Sequence, residues 1–493
     1  MKTFALPLLL LVVSLIVNGQ DKSEYKKSYA PKELQEDFLI FRKALETTYP
    51  SLYRFTDSLN FRKYLDDQFN SLDKPMKELE FYKVIALACS RSHDEHLIPT
   101  PSKNYYQYLQ KVTHYFPFSL KIIDRRLYVL KKANTDNALP IGSEILSING
   151  HSAEEILNRL LPAIPSDGYI ESFNIRHLED YSMTQNGNLF DLNYPIFFED
   201  TTSFKIEFIH PRIKSEKKIT IVFGIDYKLY KEFYWQRIGY KAPLEFNYLK
   251  SNIGYLRISS FLKWHRNDFK QDFDSLYDSI FTQLNQRNTK NLILDLRNNE
   301  GGDNTGEKLI TYLLTNPYKH YVFTEEKFIG YPPVVDYLEN GKDLFFIDSV
   351  VYRTSAGMYR LKKEYTDKEP LFNEQNPNKN NYKGKLYVLI NGASGSMASV
   401  VATFLKGYNR AIFIGEESGG TMEGNTSNEY AILQLPNTKI HIEIPLIKKG
   451  NNVDFIKGRG VFADYLVTPK IEDITKGIDT ELRFALELIT SQK

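Results

Sequence analysis

Twice in its second half the chain runs an apolar stretch into a turn of small and polar residues, and then into a helix-like segment. The first instance is "NLILDLRNNEGGDNTGEKLITYLLT", residues 291–315, and the second is "KLYVLINGASGSMASVVATFLKGY", residues 385–408. With "IGYLRISSF" before them and "RAIFIGEE" after them, this alternation over residues 241–493 argues for an α/β domain. The two turns carry the chemistry. Adjacent Gly301 and Gly302 let the backbone approach a ligand and aim N–H groups outward, as an oxyanion hole requires, or they simply make a tight strand-to-helix turn. Ser394, Ser396 and Ser399 face a similar choice. A serine at a helix start can expose its oxygen beside the next backbone N–H, yet serines there are also caps and packing residues. None of the three has glycine on both sides in a G-x-S-x-G elbow, which disfavours the α/β-hydrolase fold.

Upstream the pattern changes twice. Over residues 21–105 apolar positions recur at helical spacing, as in Leu34, Phe38, Phe41 and Leu45, and predict two or three helices, the first stopped by Tyr49-Pro50. Over residues 106–240 the pattern is of short strands, among them "FPFSLKII", "RLYVLKKA", "FKIEFIH" and "KKITIVF". One helix, "SAEEILNRLLPAI", interrupts them, with Ser152 and Glu155 spaced as a capping box. "LPIGSEILSING" resembles a segment of PDZ domains, and the stretch from Pro162 to Glu199 reads as an insertion into such a domain. A linker is expected near Lys241 to Glu245.

Lys2, the apolar run Phe4 to Val17 and the small residues before Gln20 read as a cleavable signal peptide over residues 1–20, too short for a membrane span. The expected location is periplasmic or extracellular, with no integral membrane segment after cleavage. Lys and Arg number 63 against 61 Asp and Glu, a balance with no basic field to attract nucleic acid or an acidic membrane. Cys89, the one cysteine, lies in the apolar run "VIALACS" and reads as a buried hydrophobe. No spacing suggests a metal site, and no cofactor is expected.

Taken in order, the two turns resemble the C-terminal processing peptidases, or tail-specific proteases. Asp295 to Gly302 matches that family's D-L-R-x-N-x-G-G turn, and "SGSMAS" followed by "RAIFIGE" matches its nucleophile segment. "GRGVFADYLVTP" resembles the family's tail. The resemblance implies a multi-domain α+β protein with a crotonase/ClpP-like α/β catalytic domain, an N-terminal helical region and a PDZ-like domain. It makes Ser396 the nucleophile, and Met397 with Gly301 or Gly302 the oxyanion donors. Where the Ser/Lys branch places its lysine this chain has Thr421; Lys448, Lys449 and Lys457 are other lysines that could serve. The tricorn-like branch instead draws a histidine from the region before the PDZ-like part. There "SRSHDEHLIP" offers His96, with His93 its neighbour, and the likeness is closer to this branch. The glutamate of tricorn-like tails falls at Lys457, so the acid that orients His96 is unassigned. The expected function is a secreted serine endopeptidase acting on peptides or unfolded proteins. The alternatives are an inactive peptide-binding protein on the same scaffold, or an esterase.

Overall fold

The computed structural model describes residues 27–112, 114–133, 139–179, 187–238 and 241–491. The expected signal peptide lies outside them. Among the described residues no helix is long and apolar enough to cross a membrane.

The second half is built on a six-stranded sheet in the order Leu244–Leu249, Ile253–Ile258, Asn291–Asp295, Lys385–Ile390, Ala411–Gly415 and Tyr465–Leu466. The first pair is antiparallel and every other pair parallel. Central strands such as Leu386 to Ile390 are apolar without alternation because helices cover both faces. Leu294 and Val388 pack on one face against Leu309 and Val401, while Ile293 and Leu389 pack on the other against Ala485 and Ile489. Asp295 pairs with Leu389, so the two strands end together and their turns meet at the carboxyl edge, where open parallel sheets place their ligands. The expected linker is shorter than read, since Leu244 and Glu245 already belong to the first strand.

Three helices, Pro31–Thr48, Ser58–Asn70 and Glu78–Ser90, precede this unit. The first stops before Tyr49, whose ψ of 111° is extended as its following proline demands. They have no core to themselves. Leu34, Phe38, Phe41 and Ile85 share one with Leu433, Ile442 and Ile444 of the strands Tyr430–Gln434 and His441–Pro445. Asp37, buried, accepts from the Thr438 amide at 2.8 Å and the Asn437 amide at 2.9 Å. The segment Ile98–Thr100 then joins as a third strand, with Ile98 opposite Glu443. This pairing brings the residues around position 96 to the carboxyl-terminal half.

Between them lies an antiparallel sheet running from Phe118 to Phe223, with its own core of Leu120, Val129, Ile145 and Ile206. Ser152 caps its helix through the Glu155 amide at 3.1 Å, while the Glu155 carboxylate turns to Arg159 at 2.7 Å. The stretch read as an insertion holds the helices Glu171–Glu179 and Leu189–Phe197. The first of these joins the sheet to the carboxyl-terminal half. Glu179 accepts from Lys121 Nζ and from the Ile122 amide, both at 2.5 Å. Arg176 grips Glu416 through two hydrogen bonds of 2.9 and 2.7 Å.

Candidate active site

The turn after Ile390 sorts its three serines. Ser394 is fully buried and donates to the Leu296 carbonyl at 2.8 Å, tying this turn to its neighbour. Ser399, also buried, donates to the Gly420 carbonyl at 2.8 Å. Ser396 alone of the three is half-buried, and its hydroxyl makes no hydrogen bond among the described residues. It opens the helix Ser396–Gly407 at a φ of 43°, the left-handed region that side chains seldom occupy. Such strain costs on the order of 1 kcal/mol and is held by the packed turn around it.

The glycine turn packs directly on this serine. Gly301 has a φ of 91°, and a Cβ there would fall 2.6 Å from both Ser396 Cβ and the Met397 amide nitrogen. Of the three expected oxyanion donors, Gly301 is the one the structure does not leave available, because its N–H donates to Asn299 Oδ1 at 2.9 Å. Gly302 lies in a bridge to Phe261 that uses the Gly301 carbonyl and the Asp303 amide, so its own N–H takes no part. The Met397 amide has no acceptor among the described residues.

His96 reaches this place through the strand that follows it. Its ring is 12% exposed; Nε2 lies 3.8 Å from Glu95 Oε1, and Nδ1 lies 3.6 Å from Asp94 Oδ1. The same Glu95 oxygen accepts from the Ser396 amide at 3.3 Å. The imidazole and the serine backbone are therefore separated by one carboxylate oxygen. His93 is elsewhere, edge-on to Tyr169 at 5.0 Å between ring centroids.

Asp94 stands beside His96, where the sequence left the acid unassigned. Buried, it accepts from the Tyr49 hydroxyl at 2.5 Å, from the Thr426 hydroxyl and from the His96 amide at 2.9 Å, which fixes its carboxylate beside Nδ1. At 3.6 Å the contact with Nδ1 is longer than a hydrogen bond, and Nδ1 is buried without a partner. Burial pushes the Asp94 carboxyl up, but the charge of His96, with the bonds from the Tyr49 hydroxyl and the His96 amide, outweighs it and holds the group below the usual carboxylate range.

Asp167 is the second residue missed, lying in the stretch read as an insertion. It accepts from the Glu95 amide at 3.2 Å and the Thr421 amide at 3.5 Å, while the next helix sets Phe173 against Gly419 and Gly395. Burial and the charge of Asp94 raise Asp167 to about 6. Burial and the charge of Asp167 raise Glu95 to about 8. Burial disfavours the charged imidazole of His96, yet Glu95, Asp94 and Asp167 overcome this and raise it to about 9. Asp94, His96 and Asp167 also offer ligand atoms within 4.8 Å of one another. A cation there would occupy the imidazole lone pair, so metal binding and proton transfer by His96 exclude each other.

Other candidates have different work. Asp295 and Arg297 pair at 2.7 Å at the end of their strand, with Asp479 and Glu481 also on the guanidinium. Lys448 pairs with Glu325 at 3.2 Å; Lys449 is buried over the Tyr321 ring, its ammonium lowered to about 8 by burial against the pull of Glu307; Lys457 is exposed. No lysine contact with Ser396 exists among the described residues. Cys89 is buried, its thiol pushed up by burial, and His441 pairs with Glu339 at 3.0 Å.

A strained serine at the first turn of a helix, beside a glycine turn at the carboxyl edge of a parallel sheet, is an arrangement that a serine hydrolase outside the α/β-hydrolase fold could use. Residues 252–467 match the model of Peptidase family S41, and the protein is a serine-type peptidase. No curated protein matches the chain. Over nearly its whole length the fold is similar to the structure of mature CPAF complexed with lactacystin, at 16% identity and a TM-score of 0.62, covering 94% of this chain and 98% of that one. It is also similar to a crystal structure of mature CPAF, at 16% identity and a TM-score of 0.57, covering 90% and 94%.

Proposed function

We propose that the protein is an exported endopeptidase in which Ser396 is the nucleophile, His96 its base and Asp94 the group that orients the imidazole. The observation that carries this is the shared Glu95 oxygen, 3.3 Å from the Ser396 amide and 3.8 Å from His96 Nε2, although Glu95 and Ser396 are 301 positions apart in the chain. In the reaction Ser396 Oγ attacks the peptide carbonyl as His96 Nε2 takes the hydroxyl proton. The tetrahedral oxyanion is held by the Met397 and Gly302 amides, and His96 returns the proton to the leaving amine. Asp94 supports the imidazolium by closing its 3.6 Å gap to Nδ1 once substrate is bound. The PDZ-like sheet holds the peptide as an added strand.

Ser396→Ala should abolish cleavage of an unfolded protein substrate while leaving the melting temperature within a few degrees of the original. Unchanged turnover would refute the assignment. A second reading, a peptide-binding protein without turnover, is favoured by one feature: the carboxyl groups packed around His96 raise it to about 9, against its service as a base at neutral pH. Tight peptide binding with no cleavage at pH 9 to 10 distinguishes that reading.

A further inference from the structure

A cavity of about 770 Å³ opens between the first helix and the strands around residues 325 and 359, and Arg54, Lys327 and Arg353 line it together with Tyr53, Phe328 and Tyr359. Its charge is not balanced locally. Two carboxylates line it as well, and both are already engaged: Glu325 by Arg360 at 2.6 Å and Lys448 at 3.2 Å, Glu46 by Arg62 at 3.2 Å and Arg42 at 3.8 Å. Neither Lys327 nor Arg353 has a carboxylate within salt-bridge distance among the described residues. Arg54 is held rigidly, with Nε on Glu423 at 2.6 Å and Nη2 on the Gly424 carbonyl at 2.9 Å and Thr421 Oγ1 at 3.2 Å. Its side chain is 6% exposed, and its remaining nitrogen, Nη1, is buried without a partner.

Arg54 also ties the cavity to the nucleophile. Thr421 follows Gly420, where a Cβ would lie 3.7 Å from the Ser396 amide nitrogen. Chain geometry then places the guanidinium within roughly 15 Å of Ser396, the reach of about four extended residues. An extended peptide held at Ser396 can therefore span the distance to this guanidinium with a few residues.

We infer that this cavity is a specificity subsite for a carboxylate on the peptide substrate, received by Arg353 and Lys327 against the fixed guanidinium of Arg54, with Tyr53, Phe328 and Tyr359 packing its apolar stem. The inference rests on the peptidase reading of Ser396. The carboxylate has two sources, an Asp or Glu side chain or the free carboxyl terminus of the peptide.

The test uses quenched fluorescent peptides differing only as Glu against Gln near the scissile bond, each with a free or an amidated carboxyl terminus, and the variants Arg353→Glu and Lys327→Glu alongside the original protein. The original should cleave the carboxylate-bearing peptide with kcat/KM about tenfold above its neutral twin, an advantage that shrinks at high salt. Either charge reversal should remove that advantage while leaving the neutral peptide unaffected. Glu over Gln identifies a side chain, and acid over amide identifies the terminus. Equal cleavage of all four peptides, or an equal loss on all four in both variants, overturns the subsite. If no peptide is cut, anisotropy with the same peptides on Ser396→Ala reads the cavity alone: a binding preference lost in Ser396→Ala/Arg353→Glu supports it, and no preference overturns it.

Discussion

Glu95→Gln isolates the carboxylate that stands between base and nucleophile. The amide keeps the side-chain length and an oxygen to accept from the Ser396 N–H, and it removes the charge that His96 feels at 3.8 Å. At that separation two unit charges attract by about 4 kcal/mol at an effective dielectric constant near 20, and by about 1 kcal/mol in bulk water. One pKa unit corresponds to about 1.4 kcal/mol, so the change spans about one to three units. The sign follows from the direction of the shift. His96 is raised, to about 9, so its neutral, proton-accepting form appears only as pH climbs through that value. Glu95 is raised too, to about 8, and the two titrate as a pair in the original protein. Removing Glu95 leaves a single imidazole facing Asp94 and Asp167, with Glu443 further off, and Arg54 acting on Asp167. The acidic limb of the kcat/KM profile, which reads His96 where Glu95 is charged, should then move down from near 9 by about one to three pH units at most. The assay is the initial rate on one quenched peptide from pH 5 to 10, in buffers of constant ionic strength. A limb that stays in place, or moves upward, would refute the electrostatic role given to Glu95.

Three further outcomes follow from the same geometry. Asp94→Asn should lower kcat by roughly a hundredfold to ten-thousandfold at the optimum pH, since an amide neither fixes the imidazole tautomer nor supports its positive charge; circular dichroism should be unchanged. Gly301→Ala introduces a Cβ 2.6 Å from the Met397 amide at a φ of 91°, so both cleavage and thermal stability should fall, the latter by more than about 1 kcal/mol. Ser394→Ala should keep Ser396 reactive while costing about 1 to 2 kcal/mol in denaturant unfolding, because it removes a buried bond between the two turns.

The strands of the six-stranded sheet and the turn carrying Ser394, Ser396 and Ser399 were legible because they obey local rules: apolar runs ending in turns of small residues, followed by helices; the choice of Ser396 among the three came from the family resemblance. The carboxylates around His96 were not. Asp94 and Glu95 sit in a polar stretch that reads equally well as a solvated surface turn, and their partners Tyr49, Thr426 and Ser396 come from distant parts of the chain. Asp167 lies in the stretch set aside as an insertion, where nothing local marks it; its meaning comes from two amides on other segments, those of Glu95 and Thr421. The engaged Gly301 amide was within reach of sequence reasoning. Asn299 stands two residues before it, and asparagine side chains commonly accept from the backbone at that spacing. The cavity beside Arg54 joins residues near positions 54, 327 and 353, and no periodicity links those.

The most direct measurement is covalent capture of the nucleophile by a fluorophosphonate, located by mass spectrometry of the digested protein. A single adduct on the peptide carrying Ser396, rising with pH through the His96 transition and lost in His96→Ala, is the predicted result. An adduct on another serine, or equal labelling of Ser396 when His96 is alanine, would contradict the pairing of these two residues.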